Sequence, residues 1–375
     1  MARLTDKKTR ILIVDDSASV RRVLTEMLSS DDGLEVMAAA RDAFEAAEFI
    51  RQEIPDVIFL DIEMPRMDGI TFLKRLMSQK PIPVVICSGL ADSQSKVAVE
   101  ALEAGAIDVT AKPLMDTAES RENSRAQLCR AAHAAAHAKL GGRHKSAPAP
   151  MAIEVKNKAD IVIPPLGEER LSRLAQTMPK TEPVICIGAS TGGTEAIREV
   201  LVALPHDCPG VVIVQHMPEK FTLAFANRLN GLCRIAVKEA EDGDQVLPGR
   251  ALVAPGGRHL KLVRRGKTYF VEILDAPPVT RHRPSVDVLF RSASQAAGPN
   301  AIGVLLTGMG DDGANGLLEM RQAGSLTIAQ DEASCIVFGM PKEAIARGAA
   351  SIVLPLKEVA GALSLTGHDT KRAMR

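Results

Sequence analysis

Residues 184–193 read Val184-Ile185-Cys186-Ile187-Gly188-Ala189-Ser190-Thr191-Gly192-Gly193. The first four are apolar and mostly β-branched, the pattern of a strand buried on both faces of a parallel sheet. Thr194 to Leu204 (TEAIREVLVAL) follows with the spacing of an amphipathic helix lying on that sheet. A serine on a glycine-lined turn between such a strand and such a helix is exposed beside a helix N-terminus. There it can act as an oxygen nucleophile, with backbone N–H groups at hand for a developing oxyanion. The same turn also fits a plain βα connection capped by Ser or Thr.

Downstream, Gly210 to Gln215 (GVVIVQ) is a second buried strand ending on His216, and Ala301 to Thr307 (AIGVLLT) is another, ending on GMGDDG at 308–313. Carboxyl ends of parallel strands share one edge of a sheet, so Ser190, His216 and Asp312 can converge there. A serine hydroxyl needs a base. A neutral imidazole can take its proton, and a carboxylate fixes the tautomer and stabilises the imidazolium. The order Ser, His, Asp differs from that of α/β-hydrolases, so the GxSxG spacing does not assign that fold. The glycines could also cradle a phosphate, but no GK[ST] ending follows. Asp311, Asp312 and Asn315 lack the spacing of a calcium loop. His206, His259 and His282 stand alone and are expected at surface or capping positions. Between these parts, Gly231 to Val253 is less regular, and Leu260 to Leu274 alternates in polarity, so two short antiparallel strands are expected in this region.

Upstream, strand-like runs alternate with helical ones. Arg10–Val14 ends on Asp15-Asp16, Asp56–Leu60 on Asp61, Val84–Cys87 on Ser88, and Ile107–Ala111 on Lys112-Pro113. This βα alternation predicts a parallel sheet covered on both faces. Its polar residues gather at the carboxyl edge, where an open sheet binds ligands. Three carboxylates there repel one another unless a cation joins them, and Mg²⁺ suits hard oxygen ligands beside a phosphoryl group. Caps and surface charges would explain any one of these residues, but not all five together.

At 375 residues, two domains are the default expectation. The formal net charge of zero and the 3% aromatic content argue against a nucleic-acid surface. No apolar run reaches transmembrane length, and the polar start MARLTDKKTR lacks a signal-peptide core, so a cytoplasmic protein without membrane insertion is expected. The six Cys form no CxxC pair and suit a reduced interior. Residues 117–139 are rich in Ala and Arg and predict a helix, with Gly141-Gly142 and APAP at 147–150 breaking it. Its basic run reads as a solvated face, and His133 and His137 as surface histidines. Residues 151–178 read as further linker with strand-like pieces, IEV and IVIP.

Over roughly residues 9–127 the chain resembles the receiver domain of bacterial response regulators. The match rests on Asp15-Asp16, Asp61 within FLDIEMPRMDG, Ser88 in ICSG and Lys112-Pro113 in DVTAKP. The resemblance implies a flavodoxin-like fold and phosphorylation of Asp61 by a chemotaxis histidine kinase. It also implies Mg²⁺ held by Asp16, Asp61 and the backbone carbonyl of Glu63, with Asp15 acting through water, and phosphoryl contacts from Ser88 and Lys112. Val109 stands where many receivers carry Tyr or Phe, so the output is expected not to use that aromatic.

Residues 179–368 resemble the catalytic domain of the chemotaxis protein-glutamate methylesterases, on IGASTGG, QHMPEKFT, ALVAPGGRHL, RPSVDVLF, LLTGMGDDGANG and FGMPKEA in order. That resemblance implies Ser190 as nucleophile, His216 as base and Asp312 as orienting acid. Thr191 and Met309 become candidates for the oxyanion hole and substrate binding. It further implies methylated chemoreceptors as substrate, glutamine deamidation as a second activity, and no cofactor in this domain. Asp311 stands where the family often has Asn, and the extra charge is expected to move the pH optimum only. Residues 128–178 are then a linker, and the C-terminal domain is doubly wound and mainly parallel. The competing reading is a phosphorylation-gated binding or transcription regulator without chemistry, but the second domain shows no basic recognition helix.

Overall fold

The computed structural model describes residues 8–89, 91–140 and 157–364. The chain divides into two units, 1–150 and 151–375.

In the N-terminal unit, apolar runs form β1 (Thr9–Val14), β2 (Leu34–Ala40), β3 (Val57–Leu60), β4 (Val84–Ser88) and β5 (Asp108–Ala111). They alternate with α1 (Ala18–Ser29), α2 (Ala43–Gln52), α3 (Gly69–Gln79), α4 (Asp92–Glu103) and α5 (Ala118–Ala136). Side-chain oxygens cap the helix starts: Ser17 for α1, Asp42 for α2, Asp68 for α3 and Thr117 for α5. The strand order is β2-β1-β3-β4-β5, all parallel, which is the flavodoxin-like order. Its order reverses between β1 and β3, and this places Asp15 and Asp61 on either side of the crevice.

The predicted 117–139 helix is α5. Five of its seven alanines, Ala131, Ala132, Ala134, Ala135 and Ala136, are buried, so small side chains in its second half serve close packing rather than solvation. Cys129 Sγ reaches Met27 O, and His133 pairs with Asp31 at 3.2 Å, so His133 is tied into the unit rather than lying loose on its surface. Residues 128–136, placed in a linker by the sequence reading, are the last turns of this helix. Gly141-Gly142, the APAP stretch and IEV lie outside the described residues.

The C-terminal unit opens with a 3₁₀ turn at Ala159–Ile161 and α6 (Glu168–Thr177). IVIP is therefore not a strand. Arg291, nearly buried, bonds Asp160 at 2.6 Å and the carbonyl of Ile163 at 3.1 Å, drawing this stretch onto a helix instead of a sheet edge. Then follow β6 (Val184–Ala189), α7 (Gly193–Ala203), β7 (Gly210–Gln215), α8 (Phe221–Leu232), β8 (Ala236–Glu239), β9 (Arg250–Val253), β10 (His259–Arg265) and β11 (Thr268–Leu274). The unit ends with α9 (Val286–Ala296), β12 (Ala301–Leu305), α10 (Ala314–Gln322), β13 (Leu326–Gln330), α11 (Met340–Ala346), β14 (Ile352–Leu354) and α12 (Leu356–Ser364).

Seven strands form one parallel sheet in the order β14-β13-β12-β6-β7-β9-β8, and β10 and β11 form a separate antiparallel hairpin, as their alternation predicts. The irregular region thus also adds β8 and β9 to the parallel sheet. The chain leaves β6 in one direction through β7 and returns on its other side as β12. The topological switch point therefore lies at the carboxyl end of β6, on Ser190. Val286, Leu289 and Phe290 of α9 pack with Leu317 and Met320 of α10 in the aliphatic core on one face of this sheet. No helix among the described residues is long and apolar enough to cross a membrane.

Candidate active site

Ser190 follows β6 and is 8% exposed. Its N–H donates to Thr307 O at 3.0 Å, and its carbonyl accepts from Gly193 N at 2.7 Å and from the buried Gln215 amide at 2.9 Å. Two glycines make this turn feasible. Gly192 sits at φ +76° just before α7, a left-handed conformation that suits residues without Cβ. Gly308 has no such φ, but a Cβ there would come within 2.7 Å of the Cβ of Ser190. The strand ends after β6 and β12 can thus press together.

His216 follows β7, and its N–H donates to Ala189 O at 3.1 Å, which places it directly across from the Ser190 turn. Nε2 lies 2.8 Å from Asp312 Oδ2. A carboxylate can only accept, so Nε2 carries the ring proton and Nδ1 carries the lone pair. Nδ1 is buried and has no hydrogen-bond partner among the described residues. A buried, unpaired base nitrogen is costly unless the site uses it.

Asp312 is buried and receives three further donors: Ser285 Oγ at 2.8 Å, Val286 N at 2.7 Å and Asp287 N at 3.2 Å. The last two are first-turn amides of α9, so a helix N-terminus holds the charge. Ser285 in turn donates its N–H to His259 Nδ1 at 3.2 Å, and His259 Nε2 donates to Pro277 O at 3.0 Å. These bonds require neutral His259, and burial lowers its pKa in the same direction. His282 lies face to face with His216, ring centroids 3.7 Å apart and planes 5° apart. Neither histidine fits the expected surface or capping role: the first is fully buried behind Asp312, and the second stacks on the ring at the site's centre.

Thr191 is buried and its carbonyl accepts from Thr307 Oγ1 at 3.1 Å, while Met309 is half-buried on the loop between β12 and Asp312. Arg347 pairs with Asp311 at 3.2 Å, offsetting the extra charge on which the expected shift of pH optimum rested.

Burial, and then the neighbouring Asp312 carboxylate, push the Asp287 carboxyl up from 3.8 to about 8, although Gly316 N donates to it at 2.7 Å. Its raised value means that stability is full where both folded and unfolded forms are protonated and is lost as pH rises through the folded value. Asp287→Asn keeps an acceptor for Gly316 and cannot ionise. Between about pH 5 and about pH 8.5, the wild-type Tm is expected to fall relative to that of the variant. Parallel Tm profiles would show that Asp287 ionises normally.

In the N-terminal unit, carboxylate oxygens of Asp15, Asp16 and Asp61 lie within 4.8 Å of one another. Lys112 Nζ reaches Asp61 at 2.7 Å and Asp15 at 3.0 Å. Burial raises the Asp61 pKa, with the Lys112 contact opposing it. Burial alone would lower Lys112, but the two carboxylates more than offset this and hold it above the usual range. One cation against three carboxylates leaves a negative, oxygen-rich cluster, which fits a hard divalent ion. Ser88, at the end of β4, is buried at the same edge, and Glu63 N is 3.4 Å from Asp61 Oδ1.

Comparison with known proteins bears on both units. Residues 11–121 match the response regulator receiver domain and residues 185–363 the CheB methylesterase family. The protein-glutamate methylesterase/protein-glutamine glutaminase 3 of Rhodopseudomonas palustris is 56% identical over 94% of both chains. A Rhodospirillum rubrum protein of the same designation, numbered 2, is 57% identical over 96% of this chain and 99% of its own. A Geobacter metallireducens protein, numbered 3, is 58% identical over 94% and 98%. With a receiver in front, a methylesterase domain behind and this identity along nearly its whole length, the chain belongs to the protein-glutamate methylesterase/protein-glutamine glutaminase family.

Proposed function

We propose that this protein is a serine hydrolase under receiver control, which removes methyl groups from glutamate γ-methyl esters of chemoreceptors and deamidates glutamines there. The observation that carries the chemistry is the buried His216 ring, fixed by Asp312 through Nε2, with Nδ1 unpaired among the described residues, on a residue whose backbone N–H bonds the carbonyl just before Ser190. Ser190 Oγ attacks the ester carbonyl while Nδ1 takes its proton. The same nitrogen then delivers that proton to the departing methoxide, releasing methanol and leaving an acyl-serine. Water, deprotonated by Nδ1, attacks the acyl carbon, and Ser190 is released as glutamate forms. An amide follows the same route with ammonia as leaving group. Thr191 and Met309 contribute to the oxyanion hole and substrate contacts. No cofactor is needed in this unit.

In the receiver, Asp61 accepts a phosphoryl group from a chemotaxis histidine kinase. Asp16, Asp61 and the carbonyl of Glu63, with Asp15 through water, would hold Mg²⁺, which would supply charge neutralisation for the transfer. Ser88 and Lys112 bind phosphoryl oxygens, and phosphorylation shifts the receiver from a restraining to a permissive state. The domains are the receiver, from residue 9 through α5, and the hydrolase, from Ala159 through α12, in a cytoplasmic protein.

The test is methanol release from methylated receptor membranes, with and without a phosphoryl donor and with Ser190→Ala as the blank. Asp61→Asn is expected to retain basal release and lose the donor-dependent rise. A rise that survives in Asp61→Asn would overturn the switch, whereas absence of release from wild type would overturn the hydrolase.

A further inference from the structure

We propose that His282 is a positioning residue for His216, a role that rests on the hydrolase reading above. A single hydrogen bond to Asp312 fixes one direction in the plane of the His216 ring. It leaves the tilt of the ring about that direction free, and this tilt decides where Nδ1 points. The parallel face of His282, 3.7 Å away, blocks the tilt from one side. It also meets the positive charge of the imidazolium with a π face, an attractive arrangement while His282 is neutral.

The stack can act this way because His282 is itself held. It closes a tight turn, with Val279 N donating to His282 O at 3.0 Å and His282 N to Val279 O at 2.8 Å. Thr280 and Arg281 between them adopt positive φ, at 50° and 69°. Val279 is fully buried against Ala159, Ile163 and Val288. Thr280 N donates to Asn157 O at 2.8 Å, and the Asn157 amide to Pro278 O at 3.3 Å. The stretch 157–163, which precedes the hydrolase sheet, therefore fastens the turn that lies over the His216 ring.

The experiment measures steady-state methanol release by the full chain carrying His282→Ala, His282→Leu or His282→Phe. Ala and Leu remove the flat face, Leu while refilling the space. Both are expected to lower kcat about tenfold with KM within about twofold, and Phe to restore most of the loss. Thermal melts of each variant accompany the rates, and comparison of Leu with Phe keeps the test valid if Ala loosens the turn. Wild-type kcat in Ala and Leu, equal impairment of Phe and Leu, or a loss confined to KM would each overturn the positioning role. Methanol release by wild type alongside such a result would leave the hydrolase reading standing. Its absence from wild type would remove that reading first.

Discussion

Ser190→Ala is expected to lower methanol release by about five orders of magnitude, to a residue sustained by binding and backbone donors alone. The argument depends on how little else the change touches. The three bonds at this position, to Thr307 O, from Gly193 N and from Gln215, are all made by backbone atoms of residue 190. Ala keeps the Cβ that fits against Gly308 and removes only the hydroxyl. Among the described residues no hydrogen bond to that hydroxyl is present, so the variant should melt within about 1 kcal/mol of wild type. Folded protein without turnover, together with loss of labelling by a serine-directed acylating reagent, is the expected pair of results. Turnover within a few-fold of wild type would move the nucleophile elsewhere, and loss of turnover with loss of folding would say nothing about chemistry.

The three residues of this core site are legible from local sequence because each follows an apolar, β-branched run, and parallel strands bring their carboxyl ends together whatever the intervening chain does. Asp15, Asp61, Ser88 and Lys112 are legible for the same reason. His282 is not, because it follows no strand. Its place over His216 depends on a turn fastened to residues 157–163, more than a hundred positions upstream. HRPSVD reads in sequence only as the start of a helix; that the first amides of this helix hold Asp312 is set by the tertiary fold. The role of His259 is missed, and a surface or capping place expected for it, because an isolated histidine at a strand start gives no sign of the serine it supports. The strands β8 and β9 are too short, at four residues each, for alternation to declare them. The helix α6 had its signal in Glu168 and Glu169 after Gly167, acidic residues at a helix start, but a polar composition masked it.

Asp312→Asn is expected to lower kcat by about 10³-fold, and the direction the new amide faces decides why. The native carboxylate only accepts, and four donors point at it. Oδ1 receives Ser285 Oγ and Asp287 N, and Oδ2 receives Val286 N and His216 Nε2. An amide with its NH₂ toward His216 would meet two N–H donors and would force the ring proton onto Nδ1, leaving no base toward Ser190. With its NH₂ on the Ser285 side, the hydroxyl can rotate to accept, and only Asp287 N, the longest of the four contacts, loses its partner. The second orientation is favoured, so the tautomer survives and the loss reports mainly the missing charge beside the imidazolium. Stability should change little, because weaker bonds to the α9 N-terminus are offset by relief of the carboxylate that raises Asp287. The two cases separate by ring NMR of His216: a proton retained on Nε2 with kcat down about 10³-fold supports the charge argument. A proton on Nδ1 would assign the loss to the tautomer, and an unchanged kcat would remove Asp312 from the mechanism.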